Sequence, residues 1–173
     1  MMKKEQRLAP VRLKLEPPPG IPAVRILVVE DNRSDVFLLE RALRRQGLLF
    51  ELIHLANGGE ALRFIRRQGA YADTPIPDLI LMDLNLDKYT GEDILREIRA
   101  AHHLACIPVC AWSSSQSRRD QSVLMELGIT RFITKPSGLE KFMEIGRILA
   151  DLLARPAAVA DERCAAGLRH RRA

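Results

Sequence analysis

Five short apolar runs, each followed by an amphipathic stretch of helix length, constrain this chain more than any other feature. The third is the plainest: after Pro77 and Asp78, Leu79-Ile80-Leu81-Met82 runs unbroken into Asp83. Such a run does not alternate apolar with polar residues, so it suits a strand buried on both faces, as in a parallel sheet covered by helices. The other runs are Val24 to Val29, Phe50 to Leu55, Ile107 to Trp112 and Ile129 to Thr134. Between and after them the spacing predicts helices over 35–46, 57–68, 90–101, 116–127 and 139–153, with Val36, Leu39 and Leu43 sharing one face of the first. Asn32 or Ser34 can cap that helix, and Gly47 and Gly128 follow the first and fourth as stops. Strand then helix, five times over, predicts an α/β domain: a doubly wound five-stranded parallel sheet with five helices and right-handed crossovers.

The 173 residues divide into an N-terminal Pro-rich basic arm over 1–23, a domain over 24–153 and a basic C-terminal tail over 154–173, expected to lack a fold of its own. Each end carries a net charge of +3 and the middle −1, so the basicity belongs to the ends. Neither end has an aromatic residue or a recognisable DNA-binding motif, which makes nucleic acid an unexpected partner. No stretch resembles a membrane span or a signal peptide, so a soluble cytoplasmic protein with no membrane partner is expected. Cys106, Cys110 and Cys164 suggest no disulfide framework. His102, His103, Cys106 and Cys110 lie close together, but Pro108 intervenes, Cys110 falls in an apolar run and no second ligand pair follows, which argues against zinc. Neither GxGxxG nor GxxxxGK[ST] follows the first run, so the phosphate cradles of nucleotide-binding α/β domains are missing.

What remains is polar and sits at the strand ends. The first run ends in Glu30 and Asp31, the third in Asp83, the fourth in Ser113 and the fifth in Lys135. A parallel sheet delivers all of these to one edge, where ligands of open α/β sheets collect. Any one of them has a bland reading, as a turn cap, a solvated pair or a surface lysine. Together they make a chemical set. Three clustered carboxylates stay ionised only beside a cation, and an all-oxygen site suits magnesium better than zinc. A carboxylate flanked by a hard metal, a lysine and a hydroxyl is built to receive a phosphoryl group as a mixed anhydride.

The segments VRILVVEDN, LILMDLNL, VCAWSSS and FITKP resemble the four blocks of a two-component response regulator receiver domain, over roughly residues 24 to 153. The resemblance implies the flavodoxin-like receiver fold. It implies Asp83 as phosphoacceptor, with Lys135 and Ser113 as its catalytic helpers. Glu30, Asp31, Asp83 and the backbone carbonyl of Asn85 would hold Mg2+. Ser113 and Phe132 would be the switch pair, and Pro136 a proline joined by a cis bond. More narrowly, QGAYADTPIPDLILMDLNL and ITKP resemble the stand-alone receivers partnered with bacterial phytochrome histidine kinases. Three departures from the family pattern stand out: Ser for Thr at 113, Phe for Tyr at 132, and Asp87 where the loop usually has Pro.

The expected function is that of a single-domain response regulator taking a phosphoryl group from a phytochrome-type sensor histidine kinase. It would be a signalling protein that catalyses only its own phosphorylation and dephosphorylation. The 20 residues after the last helix are too few for a DNA-binding or enzymatic output, so signalling through protein contacts in a phosphorelay, as a homodimer, is expected. Phe142, Ile145 and Leu149 on the fifth helix are either a dimer surface or core. Two rivals differ in class. A haloacid-dehalogenase-like phosphatase would need a carboxylate two residues after its nucleophile, where this chain has Asn85. A receiver-like binding module, with vestigial phosphorylation and basic ends on nucleic acid or an acidic partner, is the other.

Overall fold

The computed structural model describes residues 11–14, 23–86, 88–114 and 118–154. Strand β1 (Val11–Lys14) precedes the five expected ones: β2 (Val24–Val29), β3 (Phe50–Leu55), β4 (Leu79–Asp83), β7 (Val109–Ser113) and β8 (Arg131–Thr134). A short ribbon, β5 (Asn85–Leu86) with β6 (Tyr89–Thr90), follows β4. The helices are α1 (Arg33–Arg45), α2 (Gly58–Ile65), α3 (Gly91–Ala100), α4 (Arg118–Glu126) and α5 (Leu139–Ala154).

The main sheet runs β1-β3-β2-β4-β7-β8, and every pairing among the last five of these strands is parallel. The expected architecture is therefore present, with one addition. β1 lies antiparallel on the edge of β3, Val11 opposite His54 and Lys14 opposite Glu51, so part of the arm becomes a sixth strand. Proline blocks a helix but leaves neighbouring residues free to pair, which is why a Pro-rich arm can still hold a strand. From β2 the chain steps to β3 on one side and later to β4 on the other. The crevice between the ends of β2 and β4 is thus the topological switch point.

Two apolar layers cover the sheet. On one face Val36, Leu39 and Leu43 of α1 and Phe142, Ile145 and Leu149 of α5 pack on Ile26, Val28, Leu81 and Trp112. On the other Phe64 of α2, Ile94, Leu95 and Ile98 of α3 and Leu124 of α4 pack on Leu27, Val29, Ile80, Met82 and Ala111. Phe142, Ile145 and Leu149 are buried against the chain's own α1 layer, so they are core rather than a dimer surface. Helices α1 and α5 touch closely: a Cβ added to Gly146 would lie 2.3 Å from the Ala42 carbonyl oxygen.

Several element ends depart from the periodicity. α2 stops at Ile65 because Arg67 adopts φ 52°, and Lys88 takes φ 69° to turn between the ribbon strands. Cys110 is free and buried. Among the described residues no helix is long and apolar enough to cross a membrane.

Candidate functional site

Four strand ends meet at the switch point. β2 ends at Val29, and Glu30 follows it with no exposed surface; Asp83, the last residue of β4, is 4% exposed. Asp31 is exposed at the mouth. β7 ends in the fully buried Ser113, and Lys135 follows β8, its backbone N–H donating to the Ser113 carbonyl at 2.9 Å.

Lys135 organises the carboxylates. Its Nζ donates to Asp83 Oδ2 at 2.6 Å, Glu30 Oε2 at 2.7 Å and Asp35 Oδ2 at 3.1 Å, and it sits 4.9 Å from the centre of the Trp112 ring. Burial pulls the ammonium towards neutrality, but its hydrogen bonds to Asp83, Glu30 and Asp35 outweigh this and hold its pKa above the usual lysine value. Lys135 is therefore a fixed cation. Glu30 behaves in the opposite sense: burial pushes it up to about 7, with the Lys135 contact and the Asn32 N–H opposing and the Asp83 charge assisting.

Carboxylate oxygens of Glu30, Asp31 and Asp83 lie within 4.8 Å of one another, close enough to share one ion. The donor set is all oxygen, with two buried members and one open to water, which fits a hard divalent cation that keeps part of its hydration. The acidic cluster can hold a metal.

Asn85 links Asp83 to Ser113. Its backbone N–H donates to Asp83 Oδ1 at 2.9 Å, and its side-chain amide donates to Ser113 Oγ at 3.0 Å. Both Asp83 oxygens are thereby oriented, one by Asn85 and one by Lys135. Phe132 stands opposite Ala111 in the β7–β8 register and is half-buried against the α2–α3–α4 layer, on the same face as Ser113 two residues along. The expected switch pair thus shares one face. The Lys135–Pro136 bond is trans, and no cis peptide occurs among the described residues, so the cis-proline expectation is corrected. The preference between isomers at X–Pro is only about 0.5–1 kcal/mol, and Lys135 reaches its partners from the trans form. Asp87 lies outside the described residues.

Three contributors escaped the sequence reading. Asp35 is the third residue of α1, a helix whose Asn32 N-cap accepts from the Ser34 N–H. Following the cap forward by one turn would have pointed Asp35 back at the strand ends. His54 Nε2 lies 2.7 Å from the Glu30 carbonyl oxygen and fixes the backbone there. Trp112 looks like ordinary core in the sequence, and nothing there marks it as the floor under Lys135.

Residues 26–147 match the family model described as the response regulator receiver domain. The chain belongs to that family. Response regulator Rcp1 of Synechocystis sp. is 36% identical over 120 residues, covering 69% of this chain and 82% of Rcp1. Among solved structures, the phosphorylated cyanobacterial phytochrome response regulator RcpA aligns with TM-score 0.72 at 33% identity, over 76% of this chain and 94% of that one. The Mn(2+)-bound form of Rcp1 aligns with TM-score 0.71 at 34% identity, over 77% of this chain and 96% of that one. The receiver reading of the fold therefore stands, and with it phosphoryl acceptance in two-component signalling. The binding-module alternative is not favoured. Receiver domains are signalling proteins, and nothing among these relatives points to a metabolic enzyme.

Proposed function

We propose that Asp83 is the phosphoacceptor, loaded from the phosphohistidine of a sensor histidine kinase of the phytochrome type. The observation that carries this is the Asp83 carboxylate itself: buried at the end of β4, oriented by Lys135 at 2.6 Å and Asn85 at 2.9 Å, and grouped with Glu30 and Asp31. The phytochrome assignment draws support from the relatives, since RcpA is a cyanobacterial phytochrome response regulator.

In this reading an Asp83 oxygen attacks the phosphorus of the donor. The O–P bond forms as the N–P bond breaks, and the imidazole keeps the electron pair. Lys135 donates to a phosphoryl oxygen and offsets its growing charge. Glu30, Asp31, Asp83 and the backbone carbonyl of Asn85 would hold magnesium, which would supply further neutralisation of the phosphoryl oxygens. Ser113 then leaves the Asn85 amide and turns its hydroxyl to the new acceptors, and Phe132 follows into the space vacated. Water later cleaves the anhydride. The protein thus catalyses only its own phosphorylation and dephosphorylation. It signals in the cytoplasm as a homodimer through protein contacts.

Intact mass after incubation with acetyl phosphate tests the core of this. One phosphoryl group is expected on the wild type with magnesium, and none on Asp83→Asn or in chelator. A wild type that stays unmodified, or an Asp83→Asn protein that is modified equally, refutes the assignment.

A further inference from the structure

We infer that Asp35 is a positioning residue for Lys135, holding one N–H of its ammonium through the signalling cycle while the other two partners are taken by ligands. The inference builds on the acceptor reading of Asp83. An ammonium has three donors and no acceptor. Here they meet Asp83, Glu30 and Asp35. Glu30 and Asp83 are also two of the three members of the metal cluster. A cation entering that cluster competes with Lys135 for their oxygens, and a phosphoryl group forms a mixed anhydride with one oxygen of Asp83. Asp35 lies outside the cluster, so neither event claims it.

Asp35 is also mounted differently. It rides on the first turn of α1, a helix capped by Asn32 and pressed against α5 where Gly146 meets Ala42. Its side chain is 19% exposed and that of Lys135 14%, so the bond between them is only partly screened. In the free protein this is the longest of the three Lys135 contacts, at 3.1 Å against 2.6 and 2.7 Å. Once the cluster is occupied it becomes the principal one. A contact worth more in the occupied state than in the free state favours occupation. Without it, the displaced ammonium keeps, among the described residues, the face of Trp112 beneath it.

Trp112 is the single tryptophan, so its emission reports on Lys135 directly. The test is a double-mutant cycle of wild type, Asp35→Asn, Lys135→Met and the double variant, with magnesium affinity read from Trp112 fluorescence. With charge-assisted bonds of this kind, Asp35→Asn is expected to weaken magnesium binding about five- to tenfold when Lys135 is present, and less than about twofold in the Lys135→Met background. In chelator, Asp35→Asn should shift Trp112 emission only where Lys135 remains. Loading from acetyl phosphate at saturating magnesium should fall about tenfold for Asp35→Ala and less for Asp35→Asn, whose amide oxygen still accepts. Equal weakening in both backgrounds would mean bulk charge and overturn the inference. So would unchanged affinity and emission with Lys135 present. Should the wild type bind magnesium yet take no phosphoryl group, the acceptor reading fails alone, and the affinity and emission arms still decide the role of Asp35.

Discussion

Replacing Lys135 with Met keeps the apolar stem and deletes the charge. It leaves Glu30, Asp83 and Asp35, with side-chain exposures of 0%, 6% and 19%, without the ammonium that joins them. Stripping one partner from a buried ion pair costs about 3–5 kcal/mol. Glu30 limits the loss, because burial has already pushed it up to about 7 and it can take a proton once the ammonium is gone. The expectation in chelator at neutral pH is therefore the lower end, about 3 kcal/mol. A divalent cation works against this difference. In the wild type it must displace Lys135 from Glu30 and Asp83, whereas in the variant it meets unpaired carboxylates. A ligand at one hundred times its Kd stabilises by about 2.7 kcal/mol, and the variant has the lower Kd. Urea unfolding followed by far-UV circular dichroism, in chelator and in excess magnesium, checks both halves. The gap between the two proteins should narrow with magnesium. A gap under about 1 kcal/mol in chelator, or one that magnesium leaves unchanged, refutes the claim that Lys135 is the counter-charge of this site.

Gly146→Ala places a methyl 2.3 Å from the Ala42 carbonyl oxygen, so it should destabilise the domain by at least about 2 kcal/mol in the same unfolding assay. Burial pushes the Cys110 thiol up to about 12, so an alkylating reagent at pH 8 should leave it untouched in the native protein and modify it in urea, as peptide mass mapping would show. Burial, aided by the charge of Arg67, lowers the His103 pKa below 6.5. The unfolded chain then binds the proton more readily, so stability present above that value is lost as pH falls through it, and His103→Gln should flatten the fall.

The strands were legible because burial on both faces leaves uninterrupted apolar runs, and the polar residue closing each run marked the edge where chemistry collects. Glu30, Asp83, Ser113 and Lys135 come together for that reason, and their register follows from the parallel pairing. What stayed hidden depends on distances between distant segments. Asp35 and Lys135 are a hundred residues apart, and no periodicity couples them. The role of Trp112 beneath the ammonium needs the same knowledge. β1 was hidden for another reason: an edge strand of four residues gives too short a pattern to separate from an extended arm. The Lys135–Pro136 isomer is a local choice between nearly equal energies, which sequence does not settle.

The two faces of the sheet carry different halves of the site. Lys135 and Trp112 belong to the α1–α5 layer, while Phe132, and Ser113 with it, faces the α2–α3–α4 layer. Asp83, between β2 and β7 at their common edge, is the hinge of this arrangement. In the proposed cycle, reception and broadcast would be addressed to opposite sides of one wall. A donor approaching over α1 would leave uncovered the surface that Ser113 and Phe132 would reshape, so a listener could stay seated while the message is being delivered.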